Sequence, residues 1–171
     1  ADNPYRIYTA EDLVKMQTII AEDSEYSDDY YALYQDIDMN EVTYTPIQNF
    51  KGTFDGKLHK ILNLTINDTT GQPAGLFGSV VDGTILNIGV ESGNITGTNR
   101  VGALVGRSDN MTMRNCYSKA SVTGSNDVGG LVGMFNNSTM ENCYARATVN
   151  GSESVGGLTG SANRSVNTAL G

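Results

Sequence analysis

The chain has 171 residues, a net charge of −8 and a pI of about 4.4, which argues against a nucleic-acid partner. A phosphate backbone calls for stripes of Lys and Arg, and the 11 present are scattered singly. No apolar run approaches the ~20 residues of a membrane helix, and two Cys do not make a disulfide scaffold.

Tyr5, Ile7 and Tyr8 alternate as in a short strand. Thr9-Ala-Glu-Asp12 reads as a capping box, and Leu13, Met16, Ile19 and Ile20 follow at helical spacing. This predicts a helix over about 10–22 with one apolar stripe. The acidic stretch Glu22 to Asp29 is expected to be a solvated loop, and Tyr31 to Met39 a strand. Residues 41–50, with Pro46, read as irregular; Gly52-Thr-Phe-Asp-Gly56 is a turn signal ahead of Ile61 to Ile66.

From Val101 to Gly151 one phrase is written twice. Val101-Gly-Ala-Leu-Val-Gly106, Asn115-Cys-Tyr-Ser118 and Ser121-Val-Thr-Gly124 return as Val128 to Gly133, Asn142-Cys-Tyr-Ala145 and Thr148-Val-Asn-Gly151, a period of 27 (142 − 115). A fixed period of this size marks stacked repeats. Looser copies extend the pattern: the asparagine line reads Asn63, Asn87, Asn115, Asn142 and Asn167, and the leucine line Leu76, Leu104, Leu131 and Leu158. Each repeat holds three short apolar bursts of strand length.

The fold expected is therefore all-β: a parallel β-solenoid of about 27-residue coils with an N-terminal amphipathic capping helix. Residues 1–50 form the cap and 51–171 the repeats, with strands spaced ~4.8 Å from coil to coil. In-register stacking predicts an asparagine ladder and inward columns of leucines and of Ile95, Val122 and Val149. Gly97, Gly124 and Gly151 are placed at a corner of positive φ. Cys116 and Cys143 occupy a slot filled by Ile88 and Leu64 in earlier copies, so both are expected as buried free thiols. Arg114 is expected beside Glu141, and Tyr117 beside Tyr144. Open strand edges invite aggregation, which gives the helix its task. The chain stops at Gly171 within a repeat, so a longer parent protein or an end-to-end contact through the last coil is expected.

Gly129-Gly-Leu-Val-Gly133, Gly156-Gly-Leu-Thr-Gly160 and Asn115-Cys-Tyr-Ser118 resemble the GLUG motif of bacterial surface and secreted proteins, including the β-helical region of IgA-specific metallopeptidases. Phe54-Asp-Gly56 with His59, Ile61 and Asn63 is similar to the lead-in before such repeats. The resemblance implies an extracellular or cell-surface location, and the start at Ala1 reads like an end left after signal cleavage. The metallopeptidase activity is not implied, because the chain lacks His-Glu-x-x-His and has a single His.

Three groups are candidates for chemistry. His59 lacks an accompanying nucleophile and is read as structural. Asp36 and Asp38, two residues apart on one strand face, join Asp55 as a carboxylate group suited to glycosidic hydrolysis or calcium. Tyr117 and Tyr144 form a possible aromatic strip for a glycan or protein. The Thr96, Thr123, Asn150 series interrupts an ice-binding Thr ladder, and the Asn-x-Ser/Thr sequons, such as Asn63, Asn94 and Asn110, are read as products of composition. The reading is a non-catalytic adhesion, interaction or spacer module without cofactor or metal, its partner a host or bacterial surface protein or glycan. The alternative is a carbohydrate-active β-helix, hydrolase or lyase, that uses the acidic residues near the first coil.

Overall fold

The structure is a computed structural model that describes residues 3–165 in full and the backbone of residues 166–168. Thr9 caps helix α1 (Ala10–Glu22): its Oγ1 accepts from the Asp12 amide at 3.1 Å, and the Asp12 carboxylate accepts from the Thr9 amide at 3.1 Å. Leu13, Met16 and Ile20, on one side of the helix, are buried in the common core. The strand Tyr5–Ile7 before the helix pairs in parallel with Tyr30–Leu33 after it, so the helix spans the turn that closes the N-terminal end. The acidic stretch is ordered as a 3₁₀ helix, Ser24–Asp28, rather than an open loop. Its Ser27 carbonyl accepts from the Lys51 and Gly52 amides at 2.9 and 2.8 Å. The Tyr31–Met39 run is divided into two strands, Tyr30–Leu33 and Ile37–Asp38, by a bend at 34–36.

The repeats form a parallel β-solenoid. Between Asn99 and Thr123 one coil contains five strands where three were expected: Asn99–Gly102, Val105–Asp109, Thr112–Arg114, Tyr117–Ser118 and Ser121–Thr123. Two of the breaks, at Asn110 and Asn115, fall on single residues in the left-handed region, whereas Arg100 holds that conformation inside its strand. Arg100, Asn110 and Asn115 have φ of 57°, 55° and 54°, and the next coil repeats this at Asp127, Asn137 and Asn142. Such residues bend the chain without lengthening it, and Asn tolerates the conformation better than most. Every strand pairs in parallel with its counterpart one coil away, as in Val105↔Val132 and Val105↔Phe77.

Five sheets result. The long sheet has seven strands and runs from Tyr5–Ile7 to Val166–Thr168, so residues 1–50 and the repeats share one sheet and one core. The tyrosine sheet has five strands and holds Tyr117 and Tyr144; the threonine sheet has four and holds Thr96 and Thr123. The remaining two hold Val101 with Val128, and Val105 with Val132. Leu76, Leu104 and Leu131 are fully buried and stacked through backbone bonds such as Leu104 N to Leu131 O at 3.0 Å, and Leu158 continues the column partly buried. Phe50, Phe54 and Phe77 fill the wide N-terminal core, with ring centroids 5.0 and 5.2 Å apart.

Three details of the expected stacking differ. Gly97, Gly124 and Gly151 do not have positive φ. They are small because they face the valine column: a Cβ at Gly124 would lie 2.8 Å from Val101 Cγ2 and 2.9 Å from Val128 Cγ2. Asn63 and Leu64 stand outside the lines assigned to them. Lys60 pairs with Gly89 while Asp55 pairs with Leu86, so the first coil carries two extra residues at this corner. The turn takes them up with Lys57 and Leu58 both left-handed, at φ 49° and 68°. Leu64 consequently pairs with Gly93, and Asn63 lies beside Ser92. Asn167 pairs with Met140 and so belongs to the long sheet, not to the asparagine line. Its side chain, and any rung beyond Asn142, lie outside the described residues.

Candidate functional site

Hydrogen bonding explains where the acidic residues went. Asn142 Nδ2 donates to Asn115 Oδ1 at 3.4 Å, Asn115 Nδ2 to Asn87 Oδ1 at 2.8 Å, and Asn87 Nδ2 to Asp55 Oδ1 at 2.9 Å. A second ladder runs from Asn137 to Asn110 and from Asn110 Nδ2 to Asp82 Oδ1 at 2.9 Å. Asn136 Nδ2 donates to Asp109 Oδ1 at 3.3 Å, and Asn63 Nδ2 to Asp38 Oδ1 at 2.8 Å. Each ladder points its donors toward the N-terminus. A carboxylate suits the final rung because it accepts and has no donor left to place, although the bond from Asn126 Nδ2 to Asn99 Oδ1 at 2.9 Å ends on an amide.

Asp38 and Asp55 are such final rungs, and backbone amides of Asn40 and Lys57 also donate to them, at 3.0 and 2.8 Å. The Asn63 and Asn40 bonds hold the Asp38 carboxyl below the usual carboxylate range. Asp36 lies in the bend before the Ile37–Asp38 strand, not on a shared strand face. Its Oδ1 accepts from the Lys60 amide at 3.1 Å and meets His59 Nδ1 at 3.2 Å. Asp36 and Asp38 thus sit at the first edge of the tyrosine sheet, whereas Asp55 belongs to the long sheet. Among the described residues, no three His, Cys, Asp or Glu side chains come together as a metal site.

Tyr117 and Tyr144 do stack, with ring centroids 5.3 Å apart and planes 8° from parallel. The Tyr117 ring leans over Gly89, where a Cβ would lie 2.1 Å from ring carbons. Its hydroxyl donates to Glu91 at 2.6 Å, which with burial as the larger cause raises the Tyr117 pKa. Lys119 Nζ meets the other Glu91 oxygen at 2.7 Å and lies 5.5 Å from the Tyr117 ring; Arg146 lies 5.7 Å from the Tyr144 ring. These bonds, from Lys119 first and Tyr117 second, hold the Glu91 carboxyl below its usual range. Glu91, Lys119 and Arg146 were missed in the sequence, although Lys119 and Arg146 recur at the period, each two residues after a Tyr. The sheet's outer face is an aromatic and ionic strip, with Tyr144 38% exposed. Arg114 and Glu141 pair nearby at 2.7 Å across a solvated surface, worth about 0.5 kcal/mol.

The thiols are free and buried, Cys116 over Cys143, with the Cys116 amide 3.4 Å from Cys143 Sγ. Burial pushes the Cys116 thiol pKa up. No helix among the described residues is long and apolar enough to cross a membrane.

Comparison with known proteins agrees with this geometry. The chain is similar to halomucin of Haloquadratum walsbyi, 35% identical over 119 residues, which is 64% of this chain and 1% of halomucin. It spans only that small fraction of the relative. Its fold is similar to the crystal structure of a putative immunoglobulin A1 protease from Bacteroides ovatus, with a TM-score of 0.69 and 21% identity over 99% of this chain and 69% of that one. Residues 97–123 and 124–150 each match the GLUG motif, so the coils that build the tyrosine strip are GLUG repeats.

Proposed function

We propose that this chain is a non-catalytic interaction and spacer module of a larger protein that is secreted or held at a cell surface. The observation that carries the reading is the use of the carboxylates. Asp38 and Asp55 end amide ladders and Asp36 is held to the Lys60 amide, bonds that favour a structural use of these three carboxylates over acid–base work. The outer faces instead repeat one side-chain pattern per coil, a geometry suited to extended partners. Likeness to halomucin, of which this chain spans 1%, fits a unit used within a much longer chain.

A glycan array, followed by a reducing-sugar assay on every glycan retained, tests the reading. Retention without release of reducing ends is expected. Release that is lost in Asp36→Asn or Asp55→Asn would establish the enzyme alternative instead.

A further inference from the structure

The threonine sheet differs from every other outer surface of the solenoid. Its four strands, Leu64–Asn67, Gly93–Thr96, Ser121–Thr123 and Thr148–Asn150, are in parallel register. They point two columns outward: Thr65, Asn94, Ser121 and Thr148 in one, Asn67, Thr96, Thr123 and Asn150 in the other. Seven of these eight residues are exposed and Ser121 is half-buried. Many of the other asparagines are engaged in ladders, but none of these eight side chains makes a hydrogen bond among the described residues. None of the eight is charged, in a chain of net charge −8, and none is aromatic or aliphatic. The result is a grid of free hydroxyls and amides spaced ~4.8 Å along the solenoid axis and ~6.7 Å across it.

At its N-terminal end the grid runs into a groove of about 620 Å³. Thr65, Ser92 and Asn94 line one side, and the segment 39–43 forms the other with Asn40, Glu41 and Thr43. Glu41 holds the left-handed conformation, φ 59°.

We propose that this face, with the groove at its end, binds a neutral polysaccharide whose chain runs along the solenoid axis. The proposal rests on the interaction reading above and names the partner's class. Each hydroxyl on the grid both donates and accepts, and each amide does so through separate atoms, as sugar hydroxyls demand. An anionic glycan or nucleic acid finds no cation here, and a protein partner finds no aromatic, Arg or apolar anchor. Along the axis a polar pair returns once per coil, Thr-Asn, Asn-Thr, Ser-Thr and Thr-Asn in turn, so successive sugar units of an extended chain meet uncharged hydroxyls or amides at a constant spacing. Affinity is then built by repetition, as in linked weak sites.

The test uses the full chain and the cello- and manno-oligosaccharide series from disaccharide to hexasaccharide, followed by isothermal titration and amide NMR. Binding should strengthen with length by several-fold per added unit over about four units and then level off, since the sheet has four strands. It should be insensitive to salt, and oligogalacturonate of matched length should bind far less. Thr123→Lys and the milder Thr96→Ala should each weaken the longest oligosaccharides by roughly tenfold. Unchanged thermal unfolding of these exposed-site variants shows that they fold. Tyr144→Ala, on the other sheet, should leave binding intact. Three results overturn the proposal. One is binding by neither series. A second is binding that Tyr144→Ala abolishes and the two Thr variants spare, which would leave the interaction reading standing on the tyrosine strip. The third is thermal hysteresis without sugar binding, which would make the grid an ice-binding face.

Discussion

Asn115 tests whether the corner conformation and the amide ladder stabilise the solenoid separately. Its φ is 54°, its amide donates to Asn87 at 2.8 Å, and it accepts from Asn142 at 3.4 Å. The side chain is exposed, so burial adds little to the calculation. Replacing it with Ala forces a Cβ-bearing residue without a local polar partner into the left-handed region, at about 1–2 kcal/mol. It also removes two solvated hydrogen bonds, at about 0.5 kcal/mol each. Asn115→Ala should therefore cost about 2–3 kcal/mol. Asn115→Gly loses the same bonds but adopts the backbone freely, and should cost about 1–1.5 kcal/mol. In a chain of this size, each kcal/mol lowers Tm by roughly 2–4 °C. Calorimetry of the two variants separates the effects. Equal losses for Ala and Gly would refute the conformational argument, and a Gly variant as stable as the parent would refute the ladder.

Replacing both Leu13 and Met16 with Asp should expose the N-terminal strand edge; light scattering should show aggregation, and a monomer of unchanged stability would show that α1 is not a cap. The Glu91 carboxyl is held below its ordinary value of 4.5, so its stabilising contribution is present above that value and fades as pH falls through the lowered one. Tyr117→Phe removes one of the two donors and should move the Glu91 titration back upward by NMR; an unmoved titration would leave Lys119 as the sole cause. Cys116→Val and Cys143→Val should each cost under about 1.5 kcal/mol as near volume-conserving swaps. In the native protein both thiols should label slowly, and fast on unfolding without reductant; labelling only after reductant would reveal a bridge.

The repeat lines were legible because a period of 27 leaves inward columns unchanged: Leu104 over Leu131 and Val122 over Val149 follow from subtraction alone. The strand number was not, because apolar bursts count the inward residues and not the corners between them. Arg100 and Asp127 are left-handed within their strands, yet neither residue type announces it. The first coil was misregistered for a related reason. Asn63 fits the asparagine line by type and spacing, but two extra residues at Lys57 and Leu58 shift it onto Asp38 and Ser92. Sequence similarity registers residue types, whereas stacking registers the path length between corners.

The carboxylates show the same limit from the chemical side. Read singly, Asp36, Asp38 and Asp55 are candidates for acid–base work, since clustered acids serve either catalysis or structure. What separates the two roles is the direction of the amide bonds above them, which no composition carries. An asparagine ladder is polar: every Nδ2 here donates toward the N-terminus. An Asn at the first rung, as at Asn99, has an Nδ2 with no rung below to accept it, whereas Asp has no donor to place. The recurrence of Asp38, Asp55, Asp82 and Asp109, each beneath an Asn of the next coil, follows from that polarity. Among the described residues, the exposed outward columns of the threonine sheet take no part in this internal pairing. Their unspent donors and acceptors are the reason that partner recognition is assigned there rather than to the acids.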